Sequence, residues 1–387
     1  MPPHRRRARW GLALVAAFGL AACKDSTGPQ AHLSDPQGLS TDLQTVAGVL
    51  QSSTFESFSA LSFAAGSPVA APTRAGTLLQ AAPIAPPRSI AAPYANRRTH
   101  LQALRRLATS FKSSISASVI PPTLLGKTFT WDVTTHAYAE DAAYTPAADP
   151  DRVRIILYAV DAGTGDVVEA PLTATGYADL IDESTTSPAV DKLHVIVRGG
   201  SPAAPGTEYF NYTVSGQVTG NPVTAFTASA SGVVTDGTST LTFTATYAVT
   251  QVDTDNPDLA IDVTWDLSNP AIHAELHETA TLSDVDHLTV TITELSITRG
   301  SETVSLHGTI ALDALLQSIT IHLAIDVNDV PWVRINGTDN GITVRHADGS
   351  QLSSEEGQAF LALFTLSDSF EQAMLSLFGP AGSLMGA

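Results

Sequence analysis

From Lys127 to about Arg345 the apolar residues recur at every second position, and only a strand with one face buried satisfies that period. Leu241, Phe243, Ala245, Tyr247 and Val249 alternate with Thr242, Thr244 and Thr246. Ile319, Ile321, Leu323, Ile325 and Val327 alternate with Thr320, His322 and Asp326. Asp236-Gly237, Gly220-Asn221-Pro222 and Arg299-Gly300-Ser301 separate such runs as turns. The expectation is a mainly β chain: a large antiparallel meander of roughly a dozen strands, as an open curved sheet, half-barrel or sandwich. One run changes phase, because Leu288, Val290 and Ile292 hold one parity and Leu295 and Ile297 the other. A bulge near Thr293-Glu294 would return the apolar side chains to the core.

Helical periods flank the alternating region. Asp35-Pro36 supplies an N-cap and a first-turn proline ahead of Leu39, Leu43, Val46 and Leu50. Ser53 with Glu56 opens a second short helix carrying Phe55, Phe58 and Leu61, which completes a helical segment over 35–65. Residues 66–96 hold six prolines among many alanines and read as a linker. An amphipathic helix follows, with Leu101, Leu104, Ala108, Phe111 and Ile115 on one face and Arg97, Arg98, Arg105, Arg106 and Lys112 around it. It either lies on anionic lipid or docks its stripe on the sheet as the start of the 97–346 domain. In the final segment, 347–387, Ser353 and Glu356 form a capping box. The stripe behind it comprises Phe360, Leu363, Phe364, Phe370, Met374, Leu377 and Phe378, and Gly379-Pro380 stops it. Side chains this apolar must cover something apolar, most simply an open face of the sheet.

The start of the chain reads as an export signal over 1–22. Arg5, Arg6, Arg7 and Arg9 precede Trp10 to Leu20, an uncharged run of eleven residues. A membrane-spanning helix needs ~20, so this run is an h-region. Leu20-Ala21-Ala22-Cys23 then resembles the lipobox of bacterial lipoproteins. That resemblance implies cleavage before Cys23, lipid on its thiol, and a lipidated tether over 23–34. Cys23 is the only cysteine, so no intramolecular disulfide competes for it. Lys24 stands where the inner-membrane sorting signal of that class has Asp, so the resemblance implies the outer membrane, with the face left open.

Without the signal the chain loses four of its 20 basic residues and none of its 38 acidic ones, for a net charge of −22. That excess argues against nucleic acid as a partner. Between Arg198 and Arg299 there is no Lys or Arg, while Asp253, Asp255, Asp258, Asp262 and Asp266 recur. The plain reading is a solvated acidic face, and divalent cation binding is its rival.

Candidate motifs are few. His273-Ala274-Glu275-Leu276-His277 departs from the zinc-protease pattern. On a strand its three polar residues share a face, with the histidines roughly 13 Å apart, too far for one metal. His307 and His322 would oppose each other, with Thr309 facing Thr320, if their hairpin turned between Ala314 and Leu315, but a third ligand is not evident. Asp253, Asp255 and Asp258 have calcium-like spacing without the central glycine or distal glutamate of an EF-hand, and read as an acidic turn. Gly126-Lys127-Thr128 lacks the leading glycine of a P-loop, and there is no G-x-S-x-G elbow and no dinucleotide fingerprint. No cofactor and no catalytic residue are therefore assigned.

Three function classes stand. The first is a non-catalytic, lipid-anchored envelope protein that binds or scaffolds other envelope proteins, with the membrane as partner through Cys23. The second is a half-barrel carrier of lipid or another apolar ligand. The third is a hydrolase whose site is too scattered to recognise.

Overall fold

A computed structural model describes residues 31–49, 119–161, 166–284, 287–313, 318–338 and 341–363. The expected signal and lipobox with Cys23, the helix expected near 53–61, the expected 66–96 linker and basic helix, and the apolar residues beyond Leu363 lie outside the described residues.

Sixteen strands among the described residues form one sheet, more than the dozen expected because several are short. They are β1 (Thr128–Asp132), β2 (Ala137–Glu140), β3 (Arg152–Tyr158), β4 (Ala174–Asp182), β5 (Thr185–Thr186), β6 (Ala189–Ser201), β7 (Ala204–Thr219) and β8 (Ala225–Thr235). There follow β9 (Thr240–Thr250), β10 (Asp258–Ser268), β11 (Ala271–Leu282), β12 (His287–Arg299), β13 (Glu302–Asp313), β14 (Ser318–Val327), β15 (Val330–Thr338) and β16 (Gly341–His346). From β6 to β16 each strand pairs antiparallel with the next. The path continues β6-β4-β3-β1-β2, with one parallel pair, β1 with β3. The sheet is open, with β16 and β2 as its edges.

Alternation does the sorting. On β9 and β10, Leu241, Phe243, Ala245, Leu259, Ile261, Val263 and Leu267 are buried on one face. Thr242, Thr244, Asp262 and Asp266 are exposed on the other. Each large apolar side chain so buried contributes ~1.5–3 kcal/mol. The bulge on β12 falls where the phase change requires it: His277 pairs with Glu294 and Glu278 with Ile292, leaving Thr293 as the extra residue. Ile292 and Ile297 are both buried as a result. A second bulge on β15 leaves Trp332 as the extra residue, and it joins the core.

Helices cover the apolar face from both ends. In α1 (Pro36–Val49) the Asp35 carboxylate accepts the Gly38 N–H at 2.9 Å, which lowers the Asp35 pKa, and Leu39 and Leu43 are buried. Arg299 of β12 donates to Asp42 at 2.5 Å, and the Ser34 N–H donates to Glu302 of β13 at 2.6 Å, so α1 sits over that end of the sheet. Helix α2 covers 354–363 among the described residues. Its capping box is reciprocal: the Ser353 N–H donates to Glu356 at 2.9 Å, and the Glu356 N–H donates to Ser353 Oγ at 3.2 Å. Glu356 also lies 3.3 Å from His346 of β16, and Ala359, Phe360 and Leu363 enter the core. No helix among the described residues is long and apolar enough to cross a membrane.

The plan changes at β3 and β4. Val153 to Leu157 are all buried, as are Gly176 to Leu180, so both faces are covered there. The cover over the second face includes the 141–151 connection: Ala148 is buried and the Ala147 carbonyl accepts from Arg154 at 3.4 Å.

Candidate functional site

The face opposite the core carries two polar constellations. The first spans β3, β4, β6 and β7. Arg154 and Asp179 are cross-strand partners and bond through both arms, Nε to Oδ1 at 2.7 Å and Nη2 to Oδ2 at 2.9 Å. The guanidinium lies 5.0 Å from the Tyr177 ring centre. Beside them Arg198 donates to Glu208 at 2.5 Å, and Glu208 accepts from Asn211 at 2.7 Å. Asn211 Oδ1 meets His194 Nε2 at 2.8 Å, and His194 Nδ1 meets Glu183 at 3.1 Å. Lys192 closes the chain on Glu183 at 2.7 Å, and its hydrogen bond holds the Glu183 carboxyl below its ordinary range against partial burial. Both nitrogens of His194 and both oxygens of Asp179 and Glu208 are engaged within the chain. Such a network ties the strands to one another through charge-assisted hydrogen bonds.

The second constellation spans β10, β11 and β12. Register sets Asp262 opposite His277 and Asp266 opposite His273 on one side, and His277 opposite Glu294 on the other. His277 Nδ1 lies 2.8 Å from Asp262, and His273 Nδ1 lies 2.7 Å from Asp266. His273 Nε2 in turn meets Glu275 at 3.0 Å. These carboxylates raise both histidines: Asp266 foremost for His273, and Asp262 foremost for His277, each against some desolvation. Glu275, His277 and Glu294 converge, with one ligating atom from each within 4.8 Å of the other two. Among the described residues this is the one such group.

The residues singled out from sequence fare differently. His273, Glu275 and His277 do share one face of a strand, as alternation requires. His307 and His322 are not opposite each other. His307 pairs with Ala324 and Thr309 with His322, a register two residues away from the one expected. Alternation cannot choose between registers that differ by two. Gly308 bears on the choice: its φ is +139°, and a Cβ there would meet the His322 carbonyl at 2.1 Å, so only glycine tolerates this approach. His322 bonds to Asn336 at 3.0 Å, while His307 lies 3.8 Å from Asp326. Asp253 and Asp255 are exposed in the turn before β10, and Asp258 accepts from Gln251 at 2.8 Å.

Two groups escaped the sequence reading. Glu294 joins Glu275 and His277 only because the bulge re-aims it, and the phase change that marked the bulge was the available signal. The Arg154–Asp179 pair carried no signal beyond charged residues inside two otherwise apolar runs.

Comparison with known proteins gave no match to a protein family, to a curated protein or to a solved structure.

Proposed function

We propose that this chain is a lipid-anchored cell-envelope protein that acts as a non-catalytic binding or scaffold module. In this reading it is held at the outer membrane through Cys23 and presents the polar face of its sheet to envelope partners. The observation that carries the reading is the division of labour between the two faces from β7 to β16. The apolar face is spent on the core, together with Leu39, Leu43, Phe360 and Leu363 from the terminal helices. The opposite face is a broad hydrogen-bonded surface of Thr, His, Asp and Glu. Helices that pack into the core from both ends favour a filled interior over a ligand trough. That weighs against the carrier reading.

Cell fractionation tests the anchor. The wild-type chain should pellet with membranes through a high-salt wash, and Cys23→Ala should be released with its β circular dichroism intact. A Cys23→Ala chain that still pelleted would refute the anchoring. Native mass spectrometry of the purified chain separates module from carrier, since a co-purifying apolar ligand would overturn the former.

A further inference from the structure

We propose that Glu275, His277 and Glu294 form a binding site for a late first-row divalent cation, with Zn²⁺ as its natural probe. The site is independent of how the chain is anchored. The donor set is one imidazole and two carboxylates, which suits zinc and its neighbours better than calcium or magnesium, whose shells are built from oxygen. Zinc bonds of ~2.0 Å place tetrahedral ligands about 3.3 Å apart. The three atoms already lie within 4.8 Å of one another, so small side-chain rotations on an exposed face close the shell.

Four features go beyond mere proximity. First, His277 is pre-oriented: Nδ1 is held by Asp262 at 2.8 Å, which leaves Nε2 for the metal. A carboxylate behind the far nitrogen is how metal-bound histidines are usually fixed and made more basic. Second, Glu275 is steadied from behind by His273 at 3.0 Å, and His273 is itself held by Asp266 at 2.7 Å. Third, Glu294 sits at the β12 bulge, where two residues face His307 of β13. A regular strand would place Thr293 and Glu294 in different positions, and bulges commonly re-aim a side chain at a functional site. Fourth, no lysine or arginine occurs between Arg198 and Arg299, so these three strands bring no fixed cation of their own except Arg299 at the end of β12. With His277 neutral as a ligand, Asp262, Asp266, Glu275 and Glu294 outweigh the single charge that His273 can carry, and a dication offsets most of the remainder. Three protein ligands leave a fourth position open to water or to a donor from a partner, as open zinc sites do.

The test is Zn²⁺ titration of the full chain in detergent, without a polyhistidine tag, by calorimetry and by competition with a chromogenic chelator. The expected result is one Zn²⁺ per chain. His277→Ala and Glu294→Gln should each weaken binding at least tenfold, and Asp262→Asn by about tenfold, as for an orienting carboxylate. His322→Ala, on the same face but outside the site, should bind like wild type. Circular dichroism checks that each variant keeps its sheet, and Glu294→Asp should restore part of the affinity that Glu294→Gln loses. The proposal is overturned if zinc binding is non-stoichiometric, or unchanged in His277→Ala and Glu294→Gln. It is equally overturned if Ca²⁺ competes at equal concentration, which would mark a diffuse acidic surface.

Discussion

Strands β3 and β9 dispose of their second face in opposite ways. On β9 the side chains that point away from the core, Thr242 and Thr244, are in water. On β3 all five residues from Val153 to Leu157 are buried, because other chain segments lie over both faces. The first arrangement writes a period of two into the sequence, and the second erases it. Erasing it brings charge inside: Arg154 is enclosed where a β9-like strand would expose it, and Asp179 has to be built into the adjacent strand to match it.

The comparison breaks most decisively at that pair. Asp179→Ala leaves the Arg154 guanidinium buried without its bidentate partner and should destabilise the chain by ~3–5 kcal/mol. Asp262→Ala, which removes the exposed partner of His277 on β10, should cost no more than ~1 kcal/mol. Urea unfolding of the two variants measures the difference, and equal midpoints would remove the distinction between the regions.

Truncations of adjacent residues sharpen it further. On β9, Phe243→Ala should cost ~3–5 kcal/mol and Thr244→Ala within ~0.5 kcal/mol. On β3, Ile155→Ala and Ile156→Ala should both cost ~2–5 kcal/mol, since neither side chain is more than 2% exposed. A strong odd-even difference on β3 would mean that its second face is not packed.

A smaller effect belongs to the cap of α2. Glu356 is partly buried, which by itself would raise its pKa, yet the Ser353 N–H lowers it from 4.5. A folded pKa below the unfolded one stabilises the chain above the unfolded value, and that contribution is lost as pH falls through the folded one. Thermal melting should therefore show a loss below about pH 4.5 that Glu356→Gln lacks. Ser353→Ala should cost ~1 kcal/mol at neutral pH, as lost helix caps do.

Legibility follows the same division. The limits of the sheet, the one-sided burial of β9 to β14, the bulge at Thr293 and both described helix caps could be read from residue order, because each is a local response to water on one side. The β13–β14 register could not be read, since a two-residue slip keeps every parity, and Gly308 carries a constraint that appears only against the neighbouring backbone. The short strands β1, β2 and β5 are too brief to show a period. The Glu275–His277–Glu294 group was hidden because its members come from two strands, and the third is placed by a bulge rather than by spacing.

Single-cysteine labelling tests the central claim, that from β7 to β16 one face is core and the other is presented. Because Cys23 is the only native cysteine, Cys23→Ser gives a silent background. Thr242→Cys, Thr244→Cys and Ala245→Cys on β9, and Ile155→Cys and Ile156→Cys on β3, are each introduced and treated with a polar maleimide. The account predicts rapid reaction at positions 242 and 244, and none at 245, 155 or 156 until urea unfolds the chain. If Ala245→Cys reacted in the folded protein as readily as Thr244→Cys, the apolar face would be open to solvent, and a core shared with the terminal helices would be contradicted.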